Sequence, residues 1–375
     1  MRNVLQLIDS FDQGGSERQA VQLTRLLHDS GNYKVHVACL NDRGVLKPDL
    51  EQIGYRQIPE FPLTSFFNAN TARQIQRFAA LLKSLKIDVL HTHDFYTNIF
   101  GMTAGALAGV PARIASRRES SKRASHKRLV ERGAYRLARA VIANCESVRT
   151  QLIAEGVPPD KIVTVYNGLN VERFSPRSDF NREKALVNFR IPASPSFRFV
   201  GIVANLRPVK DHQTFLRAMQ LVQKQVPEAA FLIAGEGELL GALTDLSKEL
   251  GIADRTFFLG QCRTTEDVLA LSEVCVLSSV SEGFSNSILE YMAAGRPVVV
   301  TDVGGAREVV NDETGYLVPA GDYEAMAKHV TSLLRDPNRA RRMGEKARDL
   351  VADRFSSARQ LEQVESLYRK LLDAS

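Results

Sequence analysis

Long apolar runs are missing from this chain: no stretch of about 18 consecutive apolar residues occurs, which argues against a membrane-spanning helix. Cysteine is scarce and scattered. Cys39, Cys145, Cys262 and Cys275 lie far apart, and no Cys-x-x-Cys spacing suggests zinc. Three of them fall in or at the end of apolar runs, where buried free thiols are expected, and a reducing, cytoplasmic setting is the simplest reading. The Gly-x-Gly-x-x-Gly fingerprint and the Walker Gly-Lys-Ser/Thr are both absent, which argues against a dehydrogenase even though Asp42 follows the second expected strand, where such an enzyme holds a ribose. There is no internal repeat and no low-complexity tract. The start, Met1-Arg2-Asn3-Val4-Leu5, enters a strand directly and does not read as a signal peptide.

What is present is ordinary globular material, 375 residues with 44% hydrophobic and 25% charged content, enough for about two domains. Short β-rich runs alternate with helical patterns, which argues for parallel sheets built of β-α-β units. The first series is Val4–Ile8, Lys34–Leu40, Ile87–His91, Val141–Ala143 and Ile162–Val165, with helices expected over Glu17–His28 and Thr71–Leu85. A polar stretch from Asn170 to Ser196, with Pro176, Pro192 and Pro195, reads as a linker. The second series is Phe199–Val203, Phe231–Ala234, Thr256–Leu259, Val274–Leu277 and Val298–Thr301, followed by helical patterns to the end. Two doubly wound domains of this kind are expected to place a cleft between the carboxyl ends of both sheets.

Glu282 and Glu290 bracket the most informative segment, Glu-Gly-Phe-Ser-Asn-Ser-Ile-Leu-Glu. Ser281-Glu282-Gly283 breaks a strand, Asn286 is a plausible N-cap for a helix reaching Ala294, and Gly295-Arg296-Pro297 stops it. Two carboxylates then flank the backbone N–H groups of a helix N-terminus, a natural anion site. Such a cradle suits a ligand with sugar hydroxyls around a phosphate; taken singly, the two glutamates are a solvated loop charge and a helical one. Arg207 and Lys210 follow strand Phe199–Val203, where Arg can grip a phosphate with two N–H groups and Lys can add a point charge. Gly14-Gly15 form a tight loop before a helix, either a plain turn or a place for backbone to approach a ligand. His91, His93 and Asp94 could hold a metal, but no further ligand cluster supports it. One histidine packed and the other, His93, lining the cleft near the loop is the simpler expectation.

The formal charge of +6 is unevenly placed. From Arg113 to Arg139 ten Lys or Arg residues face Glu119 and Glu131, a local +8 that leaves about −2 elsewhere. Arg117, Arg118, Lys122, Arg123, Lys127 and Arg128 are therefore candidates for an acceptor or membrane surface. A solvated helical face, an anionic bilayer and an anionic acceptor remain as readings. Nucleic acid is disfavoured, because no aromatics interleave these cations.

Over essentially its whole length the chain resembles the retaining glycosyltransferases of the GT-B fold, family 4. The carriers are Gly14-Gly15-Ser16-Glu17, His91-Thr-His93, Asn167-Gly168 with Phe174, Arg207 with Lys210, Gly235-Glu236-Gly237, and the Glu282–Glu290 segment through Gly304-Gly305. The resemblance implies an α/β GT-B architecture, two doubly wound Rossmann-like domains facing each other across a cleft. Residues 1–175 would be the acceptor-binding domain, 176–196 the linker and 197–355 the donor-binding domain, with helix 356–375 packing back on the first. It implies transfer of a sugar from a UDP- or GDP-linked donor to a glycan or lipid-linked acceptor in bacterial cell-surface polysaccharide or glycolipid synthesis, without metal or cofactor. The location would be cytoplasmic, peripheral on the inner face of the plasma membrane if the basic segment 113–139 meets lipid.

The resemblance also implies roles. His93, Arg207, Lys210 and Glu282 would be catalytic. Gly15, Gly235, Glu236, Gly283, Phe284, Ser285, Asn286 and Glu290 would join Arg207, Lys210 and Glu282 in binding the donor, with Glu290 on the ribose and Glu282 on sugar hydroxyls. Ser285 stands where many members have proline and Tyr291 where many have alanine. The first is expected to loosen the loop and the second to alter helix packing. A non-hydrolysing sugar-nucleotide epimerase shares the architecture, and a non-catalytic membrane- or polyanion-binding protein is the other alternative.

Overall fold

A computed structural model describes residues 1–63, 68–120, 124–175, 179–192, 194, 196–262 and 264–374. The chain divides into two compact units, Met1–Gly168 with Ser357–Ser375, and Leu169–Ser356.

The first unit holds a six-stranded sheet of β1 (Arg2–Ile8), β2 (Tyr33–Cys39), β3 (Val89–Thr92), β4 (Ala112–Arg117), β5 (Ala140–Ala143) and β6 (Ile162–Thr164), in the order β2-β1-β3-β4-β5-β6. All pairings are parallel; Val4 sits between Val35 and Val89. Strand β4, Ala-Arg-Ile-Ala-Ser-Arg, was not expected from sequence because two arginines interrupt its apolar pattern. It is nonetheless a central strand, since Ile114 and Ala115 are fully buried.

The second unit holds β7 (Arg198–Val203), β8 (Ala229–Ala234), β9 (Thr256–Gly260), β10 (Ser272–Leu277), β11 (Val298–Thr301) and β12 (Gly315–Val318), in the order β12-β11-β10-β7-β8-β9 and again parallel. Strand β12 is short and begins with glycine, which hid it from periodicity. The stretch expected to be a linker carries the helix Arg182–Asn188. Its Ala185 and Leu186 pack with Phe199, Leu232 and Leu271, so this segment belongs to the core of the second unit. Pro176 and Pro195 lie outside the described residues.

Order reverses at one place in each sheet, between β1 and β3 and between β7 and β10. Loops from such neighbours diverge, and ligands of doubly wound sheets bind outside the carboxyl ends there. The loops after β1 and β3 carry Gly14 and His93; those after β7 and β10 carry Arg207, Lys210 and Glu282. No helix among the described residues is long and apolar enough to cross a membrane.

The last helix, Ser357–Asp373, is part of the first unit. Val364, Leu367 and Tyr368 share a core with Val4, Val89, Ile114 and Ile142. The Tyr368 hydroxyl meets His91 Nδ1 at 2.8 Å and accepts from Gln6 Nε2 at 3.1 Å. Gln19 and Gln22 both donate to the Gly168 carbonyl, and Gln360 donates to Gln19, tying the same helix to the start of the chain.

Asp94 caps the helix Phe95–Ala108, accepting from Thr97 N at 2.9 Å in a reciprocal capping box. Burial first, then the charge of Asp9, hold the Asp94 carboxyl up at about 7. Burial, then Glu17 and Asp12, hold Asp9 up at about 6.

Two outcomes follow. Tyr368→Phe leaves two buried groups short of a partner and is expected to lower stability by about 1–3 kcal/mol in denaturant unfolding; an unchanged midpoint would show that the hydroxyl does not hold the helix. For Asp94 and Asp9 the folded values lie above the ordinary carboxylate value of about 3.9. The folded state therefore keeps protons that the unfolded chain has lost, and stability falls as pH rises from about 4 to about 7. Asp94→Asn retains a capping acceptor and removes the charge. Its Tm should exceed that of the parent at pH 8, with the gap shrinking toward pH 4; a gap independent of pH would refute the linkage.

Candidate active site

In the second unit the loops after β7, β8 and β10 are stitched together by backbone. Ala204 N donates to Ala234 O and Leu206 N to Glu236 O, both at 2.9 Å. A Cβ on Gly235 would strike the Ala204 carbonyl, and one on Gly237 the Leu206 carbonyl; Gly235 also has φ +151°. The contact between loops thus accounts for both glycines. Glu236 is exposed.

Arg207 is exposed, and no described side chain pairs with it. Pro208–Lys210 form a single tight turn ending at Asp211, which accepts from Thr214 and caps the helix His212–Gln225. Lys210 Nζ donates to Glu282 Oε1 at 2.5 Å, and Ser279 Oγ donates to the same oxygen at 2.6 Å. Backbone supports the pair: Val280 N donates to Val209 O at 2.9 Å, and Ser278 Oγ to Lys210 O at 2.9 Å. Ser278 and Ser279 are fully buried and were not anticipated from sequence. Their only advance signal was their position just past a strand.

The Glu282–Gly283 backbone is pressed by Gly304, whose φ of +57° and contact with the Glu282 carbonyl leave no room for a Cβ. Gly305 N donates to Gly283 O at 2.7 Å, and Thr301 Oγ1 to Ser279 O at 2.6 Å. Phe284 is buried, its ring 5.4 Å from that of Phe355. The next helix is Asn286–Ala293, with Ser285 rather than Asn286 at the N-cap and no capping bond from the Ser285 side chain. Glu290, one turn in, is 1% exposed. Tyr291 takes a definite part in the packing of this helix. Its hydroxyl accepts from Val203 N at 2.7 Å, while Ser287 Oγ donates to Val203 O at 2.9 Å, fastening this helix to the end of β7. Burial holds the Tyr291 phenol well above its ordinary value, so it stays neutral.

In the first unit Gly14 is the N-cap of the helix Gly15–Asp29, and a Cβ on it would meet the Glu17 carboxylate. His93 is 1% exposed and His91 fully buried, their rings stacked with centroids 4.4 Å apart. His93 Nε2 lies 2.7 Å from Gln6 Oε1, an acceptor, so Nε2 carries the proton and Nδ1 is a bare acceptor. That Nδ1 is buried with no partner among the described residues. Burial holds His91 down at about 3 and His93 well below its ordinary value, so both rings are neutral at pH 7. Among the described residues no three His, Cys, Asp or Glu side chains converge as a metal-binding group.

The basic segment divides. Arg117 is not a surface cation: it is 1% exposed, bound to Glu155 and 3.9 Å from Glu131. It points inward because it ends the central strand β4. Arg118 is half-buried and donates from Nη1 to Asn167 Oδ1 at 2.7 Å. Lys127 and Arg128 are exposed on the helix Ser125–Leu137. Lys122 and Arg123 lie outside the described residues.

Comparison with known proteins follows the same division. Residues 13–173 match the family described as Glycosyltransferase Family 4, and residues 187–350 the family described as Glycosyl transferases group 1. The N-acetyl-alpha-D-glucosaminyl L-malate synthase of Bacillus anthracis is 34% identical over 220 residues, 58% of this chain and 56% of that protein. The chain thus spans little more than half the length of the first curated relatives it matches. Alpha-maltose-1-phosphate synthase of Mycolicibacterium smegmatis is 30% identical over 315 residues, 76% of this chain and 79% of that one. The structure of HepE from Anabaena in complex with UDP-glucose is similar in fold, with a TM-score of 0.85 at 20% identity over 99% of this chain and 100% of that one. The chain belongs to the GT-B glycosyltransferases of family 4.

Proposed function

We propose that this protein transfers a sugar from a nucleoside diphosphate sugar, UDP- or GDP-linked, to an acceptor hydroxyl with retention at the anomeric carbon. The observation that carries the reading is the direct contact of Lys210 with Glu282, made by the two loops that diverge at the β7/β10 switch point. One loop brings positive charge, Arg207 with Lys210, and the other brings the Glu282 carboxylate and leads into the helix that carries Glu290. That is the complement of a diphosphate joined to two sugars. The UDP-glucose complex of HepE, a protein of the same fold, supports the class of donor.

Breaking the glycosidic bond leaves its electron pair on the diphosphate and positive character on the sugar ring. Arg207 and Lys210 meet the first charge, a preorganised electrostatic contribution that asks nothing of a metal ion. Glu282 holds Lys210 in place through Oε1 and is the carboxylate assigned to the sugar hydroxyls. Glu290, buried in its helix, takes the ribose hydroxyls. His93, neutral and with a bare Nδ1, accepts from a hydroxyl of the reacting sugar and is not a proton donor. Gly15, Gly283, Phe284, Ser285 and Asn286 contribute backbone. The acceptor oxygen attacks on the face that the diphosphate leaves, and its proton passes to the departing phosphate oxygen.

The acceptor belongs to bacterial cell-surface polysaccharide or glycolipid synthesis, and the helix Ser125–Leu137 is the contact with an anionic bilayer. Along this helix Arg128, Arg132 and Arg136 form one exposed flank and Leu129, Val130 and Leu137 the next, with Leu129 71% exposed. Cations beside exposed apolar side chains are the composition of an interfacial helix.

Lys210→Ala and Arg207→Ala are each expected to cut transfer from a radiolabelled donor by about 10²–10³, and Glu290→Ala to weaken UDP binding; unchanged values would remove that residue from the site. Chelation should leave the rate unchanged, and the anomeric configuration of the product, read by NMR, should equal that of the donor. Donor incubated alone should stay intact or hydrolyse slowly, whereas conversion to its epimer would point to the rival activity. Sedimentation with anionic liposomes should fall with added salt and in Leu129→Glu; equal sedimentation in both would refute the bilayer contact.

A further inference from the structure

Arg118 is a cation with no counter-ion among the described residues. Its neighbour Arg117 has Glu155 and Glu131, but no described carboxylate lies within ion-pair reach of Arg118. Its Nη1 is satisfied by the neutral Asn167 amide, and its Nε is buried with no partner among the described residues. Burial draws this guanidinium down to about 10, as expected of a charge left uncompensated. Asn144, 1% exposed, donates from Nδ2 to the Arg118 carbonyl at 3.0 Å, and its Oδ1 is likewise buried and unpartnered.

These residues share one edge. His93, Arg118 and Asn144 each stand one residue past a strand end, of β3, β4 and β5, and Asn167 lies three past β6. The four strands are neighbours in the sheet, so the side chains form a row along its carboxyl edge. Arg118 is near enough for its charge to lower both His91 and His93. Buried polar atoms nearly always have partners. Here a donor on Arg118 and acceptors on Asn144 and His93 are left open along one row. A guanidinium with an open Nε matches an oxyanion, and an open amide oxygen matches a hydroxyl beside it.

We propose that Arg118, Asn144 and Asn167 form an acceptor subsite that binds a phosphate group, with Asn144 Oδ1 accepting from an adjacent hydroxyl. The proposal rests on the transferase reading above, and it places the phosphate beside the position assigned there to the reacting sugar at His93. The phosphate comes either from a soluble sugar phosphate or from a prenyl diphosphate carrier.

The test is thermal shift of the full chain, first with UDP alone and then, with UDP saturating, with glucose 1-phosphate or geranyl diphosphate. The wild type should be stabilised further by at least one of the two probes, and the probe that works identifies the source. Arg118→Gln should respond normally to UDP and show at least a tenfold weaker response to that probe. Asn167→Asp supplies a carboxylate to Arg118 in place of the amide, keeps the cation paired, and should lose the same response; it serves where Arg118→Gln does not fold. If neither probe stabilises the wild type, or if both variants respond as the wild type does, the subsite is refuted. Failure of UDP itself to stabilise the wild type would instead count against the donor reading.

Discussion

Parallel strands send every following loop to the same edge of their sheet, and where strand order reverses two of those loops must part. That constraint organises both units. In the second it brings a loop near residue 207 and a loop near residue 282 to one place, although about 70 residues separate Lys210 from Glu282 in sequence. In the first, the loops that carry Gly14 and His93 leave neighbouring strands, β1 and β3. Chemistry that no single segment could hold becomes local because the sheets are doubly wound.

Room at such a point still has to be shaped, and here backbone does most of the shaping. The loops after β7, β8, β10 and β11 touch main chain to main chain, through Gly235, Gly237 and Gly304, with hydrogen bonds from Leu206, Val280 and Gly305. Side chains then fix what remains. Glu282 is held by Lys210 and Ser279, and Tyr291 fastens the helix of Glu290 to the strand that leads to Arg207. Charged groups in this arrangement need little reorganisation when charge develops next to them, which is where enzymes gain most from electrostatics.

Charge in the first unit is distributed by a different rule. Ten cations crowd residues 113–139, yet the described ones do not share one role. Arg117 is consumed by internal carboxylates, Arg118 is half-buried with an amide as its side-chain partner among the described residues, and Lys127 and Arg128 face solvent. A run of like charge read as one surface thus hides a core strand, because the arginines at its ends can extend past the apolar layer to find partners.

The alternation of apolar runs with helical patterns was enough to read two parallel α/β units, since a strand buried on both faces must be continuously apolar. The strand–turn–helix context was enough to single out Glu282, Glu290, Arg207 and Lys210. Other features were not legible. Strand β4 carries arginines and β12 is short, so periodicity passed over both; the helix Arg182–Asn188 looked like linker because its packing partners lie elsewhere in the chain. Ser278 and Tyr291 matter through contacts with residues 68 and 88 positions away, which local pattern does not encode. By itself, then, the sequence determined the fold class and the chemical kind of its conspicuous residues, because hydrophobic period and functional groups are local properties. Only the tertiary structure decided that Lys210 meets Glu282, that His93 is buried and neutral, and that Arg117 and Arg118 differ, because burial and pairing depend on which distant segments the sheets bring side by side.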